Sequence, residues 1–317
     1  MKIEFDKPML ACSLLESGEP HTDVFILEKM KILWKMHDGP RIATLKKDGI
    51  RGVVLGDLAS RTCKKIPNRH LQCLSKALPY GLDTELADLT LQYDQNESII
   101  MSGDHVDSYR IQFHILDLWD ETQKISYTER LHIANYLCEG MSCVVPAEPV
   151  ECKTPYDLLD FFKSVEEEKG EGICWRLPDS LYVQKGTKDN RSTFYEQYLF
   201  KLTRPIRAEC VVVGFEEQML NTNPVRRNAN GKMDRSKAEA GMVGKCTLGA
   251  FLVRDANGLE FRIGSGVGLT AKKRDEIWDK RGEWLGKTIV YQSKSHGVKV
   301  KPRSPIYVGE RKEIDIV

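Results

Sequence analysis

The stretch Lys46-Lys47-Asp48-Gly49-Ile50-Arg51 holds the residues of this chain best suited to chemistry. It lies between Ile42-Ala43-Thr44-Leu45 and the β-prone Gly52-Val53-Val54-Leu55. That setting predicts a tight turn joining two strands, with Asp48-Gly49 as the turn residues. A lysine on such a turn has little rotational freedom and can be aimed into a pocket. Its amine is a nucleophile only when uncharged, and a free lysine has a pKa of about 10.4. Asp83 and Glu85 lie two residues apart in a short predicted strand over 81–86, so both point to one face of a sheet. Two carboxylates there call for a cation, a metal ion or water. Glu171 stands at the mouth of another predicted strand, and Lys201 falls within the apolar run Tyr198-Leu199-Phe200-Lys201-Leu202. Taken singly, the turn reads as a surface hairpin and the acids as solvated side chains.

The elements that must position these residues follow from pattern and punctuation. A helix is predicted over 23–38, capped by Asp23 and stopped by Gly39-Pro40. Residues 109–118 alternate like a strand. Thr154-Pro155 opens a second helix with the apolar stripe Leu158, Leu159, Phe162 and Val165, and Gly170 closes it. From Ala208 the texture changes to short strands at 210–215, 248–253, 259–263 and 288–291, with one helix over 271–285. Four or five strands and a helix in that length fit a small Greek-key barrel of the OB type. Between its first two strands, residues 221–241 read as a polar, mobile loop carrying Arg226, Arg227, Lys232, Arg235 and Lys237, suited to tracking a phosphate backbone. Gly264-Ser265-Gly266-Val267-Gly268 is neither a dinucleotide fingerprint nor a P-loop, because the third glycine offset and a Gly-Lys-Ser/Thr are missing.

A length of 317 residues suits two cores better than one. Charge divides unevenly along it. Residues 207–317 hold 21 Lys and Arg against 14 Asp and Glu, and residues 1–206 hold 26 against 32, so a basic module follows a mildly acidic one. That asymmetry suggests a polyanion-binding part attached to a part that carries carboxylates. No apolar run approaches the roughly 20 residues of a membrane span, and the N-terminus lacks a signal-peptide layout. A cytoplasmic protein is the expectation. The nine cysteines are scattered without a Cys-x-x-Cys, which predicts free, mostly buried thiols rather than a zinc site or disulfides.

In order along the chain, Lys46-x-Asp48-Gly49-x-Arg51, Ser60-Arg61, Asp83-Thr84-Glu85-Leu86, Glu171-Gly172, Lys201 and the closing Pro302-Arg303-Ser304-Pro305-Ile306-Tyr307-Val308-Gly309-Glu310-Arg311 form a series. This series resembles the ATP-dependent DNA ligases, in particular the small two-domain ligases of phages and bacteria. The likeness extends to 60–68, Arg191-Ser192-Thr193 and 241–244, so it covers nearly the whole chain. It implies an α+β protein: an adenylation (nucleotidyltransferase) domain of antiparallel sheets with helices, ATP-grasp-like, over 1–206, then an OB-fold over 207–317. It implies that Lys46 takes AMP from ATP, that Thr44, Arg51, Arg61, Glu85, Phe113, Glu171 and Lys201 contact the nucleotide, and that Glu85 and Glu171 hold Mg²⁺, with Mn²⁺ as a substitute. Arg61 would also grip the 5′-phosphate of a nick, and Arg226, Arg227 and Lys232 the duplex. Arg303 or Arg311 would help the barrel close over ATP. Like charge from Arg51 and Lys201, together with burial, is expected to lower the Lys46 pKa.

Four departures accompany the resemblance. Thr84 stands where the family has glycine, and Thr203 where it has a second lysine, with Arg204 as a substitute. Leu116 occupies the position of an adenine-stacking ring, leaving Phe113 as the nearest aromatic, and Glu310 separates Gly309 from Arg311. The implied partner is nicked duplex DNA, bound by a monomer in a bacterial or phage-infected cytoplasm, without membrane. RNA or RNA/DNA-hybrid ligation and capping guanylyl transfer are the alternatives within the superfamily, and a silent nucleic-acid-binding protein is the alternative outside it. NAD-dependent ligation is disfavoured, because zinc-finger cysteines and a nicotinamide-recognition domain are missing.

Overall fold

The computed structural model describes residues 5–16, 19–119, 121–122, 124–184, 193–227, 233–236, 238–266, 268–294 and 301–311. Among them, those up to Arg204 form one compact unit and those from Pro205 on a second.

The first unit carries β1 (Cys12–Ser13), α1 (Asp23–Met36), β2 (Arg41–Leu45), β3 (Ile50–Leu55), β4 (Asp57–Ser60), α2 (Arg69–Ser75), β5 (Leu82–Ala87) and α3 (Tyr93–Ile100). Then come β6 (Gln112–Leu118), α4 (Tyr127–Leu137), β7 (Val144–Val145), β8 (Val150–Cys152), α5 (Pro155–Glu167), β9 (Ile173–Arg176) and β10 (Phe200–Leu202). The strands form two five-stranded sheets, ordered β1-β10-β9-β2-β8 and β4-β3-β5-β6-β7. Most neighbours are antiparallel, and the short edge strands β1 and β7 pair in parallel.

Strand parity assigns the two faces of the first sheet. Ala43, Trp175 and Phe200 are cross-strand partners, and all three sit in a core with Ile26, Met30 and Leu33 of α1 and Leu158 and Phe162 of α5. Thr44, Cys174, Lys201 and Ser13, one residue along each strand, therefore share the opposite face. The second sheet packs Leu86, Phe113 and Ile115 into a separate core with Leu71 of α2, Ile99 of α3 and Leu131 of α4. α1 is capped by Thr22, whose hydroxyl accepts the Phe25 N–H at 3.4 Å, rather than by Asp23. α5 has the expected capping box of Thr154 and Asp157.

Two buried ionic clusters join elements that no periodicity connects. Asp117 of β6 accepts from Arg130 of α4 (Nε 2.8 Å, Nη2 3.1 Å) and pairs with Arg176 of β9, so it ties the two sheets together. Burial opposes the Asp117 charge, but the two guanidiniums outweigh it and hold the carboxyl below its usual range. Arg41, fully buried, donates to the Leu33 and His37 carbonyls at the end of α1 and to Gln197 Oε1, and lies 4.3 Å over the Trp34 ring. Burial draws its pKa down to about 10.

In the second unit, β11 (Ile206–Asn221), β12 (Val225–Arg227), β13 (Met233–Arg235), β14 (Met242–Arg254), β15 (Glu260–Ile263), α6 (Ala271–Asp279), α7 (Arg281–Trp284), β16 (Thr288–Lys294) and β17 (Arg303–Glu310) follow in order. Five of the strands make a sheet, β15-β14-β11-β16-β17, whose outer strands approach each other through a bridge between Gly266 and Tyr307. The glycine-rich decoy thus belongs to barrel closure. The helix expected over 271–285 is broken at Lys280, which adopts φ −101° and ψ 29°. Within 221–241, expected to be a plain loop, the described residues form a hairpin arm. β12 pairs with β13, Thr222 N–H donates to Gly241 at 2.8 Å, and Asn223 Nδ2 donates to the Ser236 and Ala238 carbonyls. Lys232 and Lys237 lie outside the described residues.

Removing Asp117 should leave two arginines buried without a counter-charge. Asp117→Ala is expected to cost about 3–5 kcal/mol and to lower the urea midpoint of the first unit by roughly 1 M or more. A midpoint within about 0.2 M of wild type in equilibrium urea unfolding would show the cluster to be energetically idle.

Candidate active site

Lys46 is not on a hairpin. Its strand, β2, belongs to the first sheet and β3 to the second, so residues 46–49 cross from one sheet to the other. Lys46 N–H donates to the Gly172 carbonyl at 2.8 Å, which keeps the lysine beside β9. At the far end of the crossing, Gly49 N–H donates to Glu85 Oε1 at 3.1 Å. A Cβ on Gly49 would run into the Leu86 carbonyl, and its φ is not positive. Close approach between backbones, not turn geometry, requires this glycine. Gly172 answers to both demands, with φ +148° and a backbone neighbour in Leu202.

The crossing brings three charges together. Lys46 Nζ donates to Glu171 Oε2, with the two side chains 24% and 8% exposed, and Glu85 stands close enough to affect Lys46 electrostatically. Burial disfavours the ammonium most strongly, but Glu171, Cys174 and Glu85 together overcome it, and the Lys46 pKa is raised. The sequence led us to expect the reverse. Arg51, assigned there to repel the ammonium, is spent on Asp83: its Nε donates to Oδ1 at 2.8 Å and Nη2 to Oδ2, while Nη1 donates to the Met9 carbonyl at 2.7 Å. The Tyr182 hydroxyl completes the cluster by donating to Asp83 Oδ2 at 2.7 Å. Neighbouring Lys47 shows the opposite trend to Lys46, with burial lowering its pKa against weaker pull from Glu148 and Glu85.

Glu85 is pushed up to about 7, chiefly by burial, with Lys46 and Arg51 opposing and Glu171 and Asp83 assisting. Thr84, in place of the family's glycine, is accommodated at ordinary backbone angles and donates its hydroxyl to the Gly52 carbonyl at 2.9 Å. Lys201 is held between the core residues Phe200 and Leu202 yet faces the other way, beside Cys174 and in the same row as Thr44. Arg61 lies on the exposed turn after β4, apart from this row.

Several expectations fail on parity. Phe113 is fully buried, paired with Leu86 on the core face of β6, and cannot stack on a ligand without opening that core. Its neighbour His114 pairs with Glu85 and so takes the Glu85 face. Burial, then Lys47, lowers the His114 pKa to about 4. Leu116 sits at the register shift opposite Asp83 and Thr84. Arg204 does not replace the missing lysine at Thr203: it pairs with Asp23 and Glu166 on the helical side of the sheet. Within the second unit, Arg311 pairs with Glu209. Cysteines are less buried than expected, with Cys63, Cys73 and Cys246 exposed and Cys138, Cys152 and Cys210 buried, and all nine are free. The Arg51–Asp83–Tyr182 and Asp117–Arg176 clusters went unnoticed in the sequence; a buried arginine facing an acid from a distant strand leaves no local signature.

Among the described residues no group of three or more His, Cys, Asp or Glu is arranged to hold a metal ion. The carboxylates available to a cation are the pair Glu85 and Glu171, which suits Mg²⁺, an ion that keeps several waters and shares phosphate oxygens. A separate cavity of about 640 Å³ lies against α4 and β7, lined by Ile115, His132, Tyr136, Met141 and Val144, and includes none of the charged residues above.

Residues 242–311 match the family model described as the DNA ligase OB-like domain. Comparison with curated proteins gave no match. Among solved structures, the chain is similar to Chlorella virus DNA ligase-adenylate, at 23% identity over 97% of this chain and 98% of that one, with a TM-score of 0.50. It is similar also to a Lig E DNA ligase, at 20% identity over 86% and 92% with a TM-score of 0.63, and to Pmar-Lig, at 19% over 95% and 67% with a TM-score of 0.63. The fold is thus mixed α and β, a nucleotidyltransferase-type unit followed by an OB-fold. It is the fold of the DNA ligases to which the chain is similar. Among the described residues no helix is long and apolar enough to cross a membrane.

The raised Glu85 pKa carries a pH signature. Between an ordinary 4.5 and about 7 the folded chain holds a proton at Glu85 that the unfolded chain releases, so this stabilisation is full below pH 4.5 and is lost as pH rises through 7. Glu85→Gln should flatten the decline in thermal midpoint between pH 5 and 8. An identical decline in both proteins would place the titration elsewhere.

Proposed function

We propose that the chain is an ATP-dependent DNA ligase that seals nicks between a 5′-phosphate and a 3′-hydroxyl through a lysyl-AMP intermediate. The observation that carries this reading is the half-buried Lys46 amine held against Glu171, with Glu85 beside it and Lys201 in the neighbouring row. An amine enclosed by acids and faced by a second cation suits attack on a phosphate. In the first step the Lys46 Nζ, having lost a proton, forms a bond to the α-phosphorus of ATP, and the bond from that phosphorus to the bridging oxygen of pyrophosphate breaks. AMP then passes to the 5′-phosphate of the nick, and the 3′-hydroxyl displaces it.

The ion pair explains how the nucleophile is kept and released. While Glu171 faces Lys46 the ammonium is favoured; with Glu171 engaged elsewhere its largest support is gone, and burial, which favours the neutral amine, weighs more. Glu85 and Glu171 are the residues that would hold Mg²⁺ or Mn²⁺, which when bound would offset negative charge building on the phosphates. Lys201 and Thr44 line the face where the nucleotide would lie, and Arg61, exposed on its turn, is free to meet the 5′-phosphate of DNA. The basic hairpin arm of the second unit is assigned to the duplex, and the protein to a monomer working in the cytoplasm.

Incubation with α-phosphate-labelled ATP should label wild type and not Lys46→Ala, and Glu171→Ala should slow metal-dependent labelling at least about tenfold. Label persisting on Lys46→Ala would exclude this nucleophile. Offering GTP or NAD, then nicked DNA or a nicked RNA–DNA hybrid, separates the proposed reaction from its relatives. Charge reversal at Arg226, Arg227 and Lys232 should weaken nicked-duplex binding and make its salt dependence shallower by up to about three phosphate contacts. An unchanged slope would remove the arm from the interface.

A further inference from the structure

The row of residues on the cleft face of the first sheet does not end at Lys201. Thr44, Cys174 and Lys201 are cross-strand partners on β2, β9 and β10, and the register continues to Ser13 on the edge strand β1. Parity supports the placement: Cys12, the residue before Ser13, pairs with Phe200 and packs with the core on the other side. Ser13 is exposed. The β1–β10 ladder uses the N–H groups of Cys12, bonded to Leu199 at 2.9 Å, and Leu14, bonded to Lys201 at 3.0 Å. The Ser13 N–H falls between these two and points outward from the sheet edge, and among the described residues neither it nor the Ser13 hydroxyl donates a hydrogen bond.

Two unused donors therefore stand one strand spacing, about 4.8 Å, beyond Lys201, to which the family resemblance gives the α-phosphate. We propose that Ser13 binds the β- and γ-phosphates of ATP, through its hydroxyl and its backbone N–H, and so holds the pyrophosphate leaving group. This rests on the proposed ligase reading. A sheet edge with an outward N–H and an adjacent hydroxyl is a donor pair for an oxyanion, and Lys201 on the neighbouring strand adds the charge that draws one in. The direction along the row fits the reaction. Thr44, on the strand that leads into Lys46, lies at one end, and the leaving group departs at the opposite end, the β1 edge of the sheet.

The test uses the full chain and follows adenylation in both directions. Lysyl-AMP formation is measured against ATP concentration, and its reversal against added inorganic pyrophosphate. Ser13→Ala, which keeps the backbone donor, should raise the ATP concentration for half-maximal labelling about three- to tenfold. Ser13→Asp, which sets a carboxylate against the phosphates, should raise it more than tenfold and raise the pyrophosphate requirement for reversal by a similar factor. Sealing of a nick that already carries AMP involves no pyrophosphate and should fall less than twofold in both variants. Ser13→Asp with wild-type dependence on ATP and pyrophosphate would overturn the assignment, as would equal losses in adenylation and in sealing of the adenylated nick. Failure of wild type to take label at all would instead overturn the ligase reading beneath it.

Discussion

The site depends on one contact, the ion pair between Lys46 and Glu171. It spans two segments 125 residues apart, and each is fixed by its own backbone demands. Lys46 is tied to Gly172 by its N–H, and Gly172 can hold its φ of +148° against Leu202 only because it lacks a side chain. Glu171 is thus delivered to the lysine by the residue that follows it. The electrostatic outcome is a balance rather than a simple depression. Burial pushes the amine toward neutrality, and Glu171, Cys174 and Glu85 push it back further, so the ammonium is favoured.

That contact joins the ends of β2 and β9, neighbours in the first sheet, and a second ionic cluster ties this sheet to the other. Arg176 lies on β9 two residues past Cys174, and its pairing with Asp117 of β6 holds the sheets together where Arg130 also converges. Toward the Lys46 end the same strand presents Cys174 and then Glu171, and the facing strand β5 presents Asp83 and then Glu85. Asp83 is neutralised by Arg51 and Tyr182, whereas Glu85 keeps only the Gly49 N–H and a titrating carboxyl. Two acids on one strand face have separate tasks: one locks an arginine in place, and the other stays available.

Legibility in the sequence followed the range of the interaction. The Thr154-Pro155 helix start and the strand carrying Asp83 and Glu85 are local patterns and stand where pattern puts them, whereas the short strands expected over 210–215 and 248–253 are parts of the much longer β11 and β14. The Lys46 crossing was mistaken for a hairpin because Asp48-Gly49 is good turn chemistry and nothing nearby says that β2 and β3 belong to different sheets. Phe113 is the nearest aromatic preceding the Leu116 position, yet a register shift at Asp83 and Thr84 and the two-residue period of β6 turn that ring into the core. Arg51 was read as a neighbour of the nucleophile by spacing alone, and its commitment to Asp83 appears only once β3 and β5 are paired.

The same reasoning explains why the charge asymmetry of the chain was a sound guide to organisation but a poor guide to residues. A surplus of positive charge after residue 206 reflects a barrel and its hairpin arm, and much of it is paired within that unit: Arg254 with Glu260, Arg262 with Glu216, Lys287 with Glu310 and Arg311 with Glu209. Paired surface charges contribute little to stability and add little field at a distance. The arm is different in kind. Its ladder extends β11 and β14 beyond the barrel, its base is cross-braced by Asn223 and by Arg235 Nη1 donating to the Asn221 carbonyl at 2.7 Å, and Val225 and Val243 are exposed there.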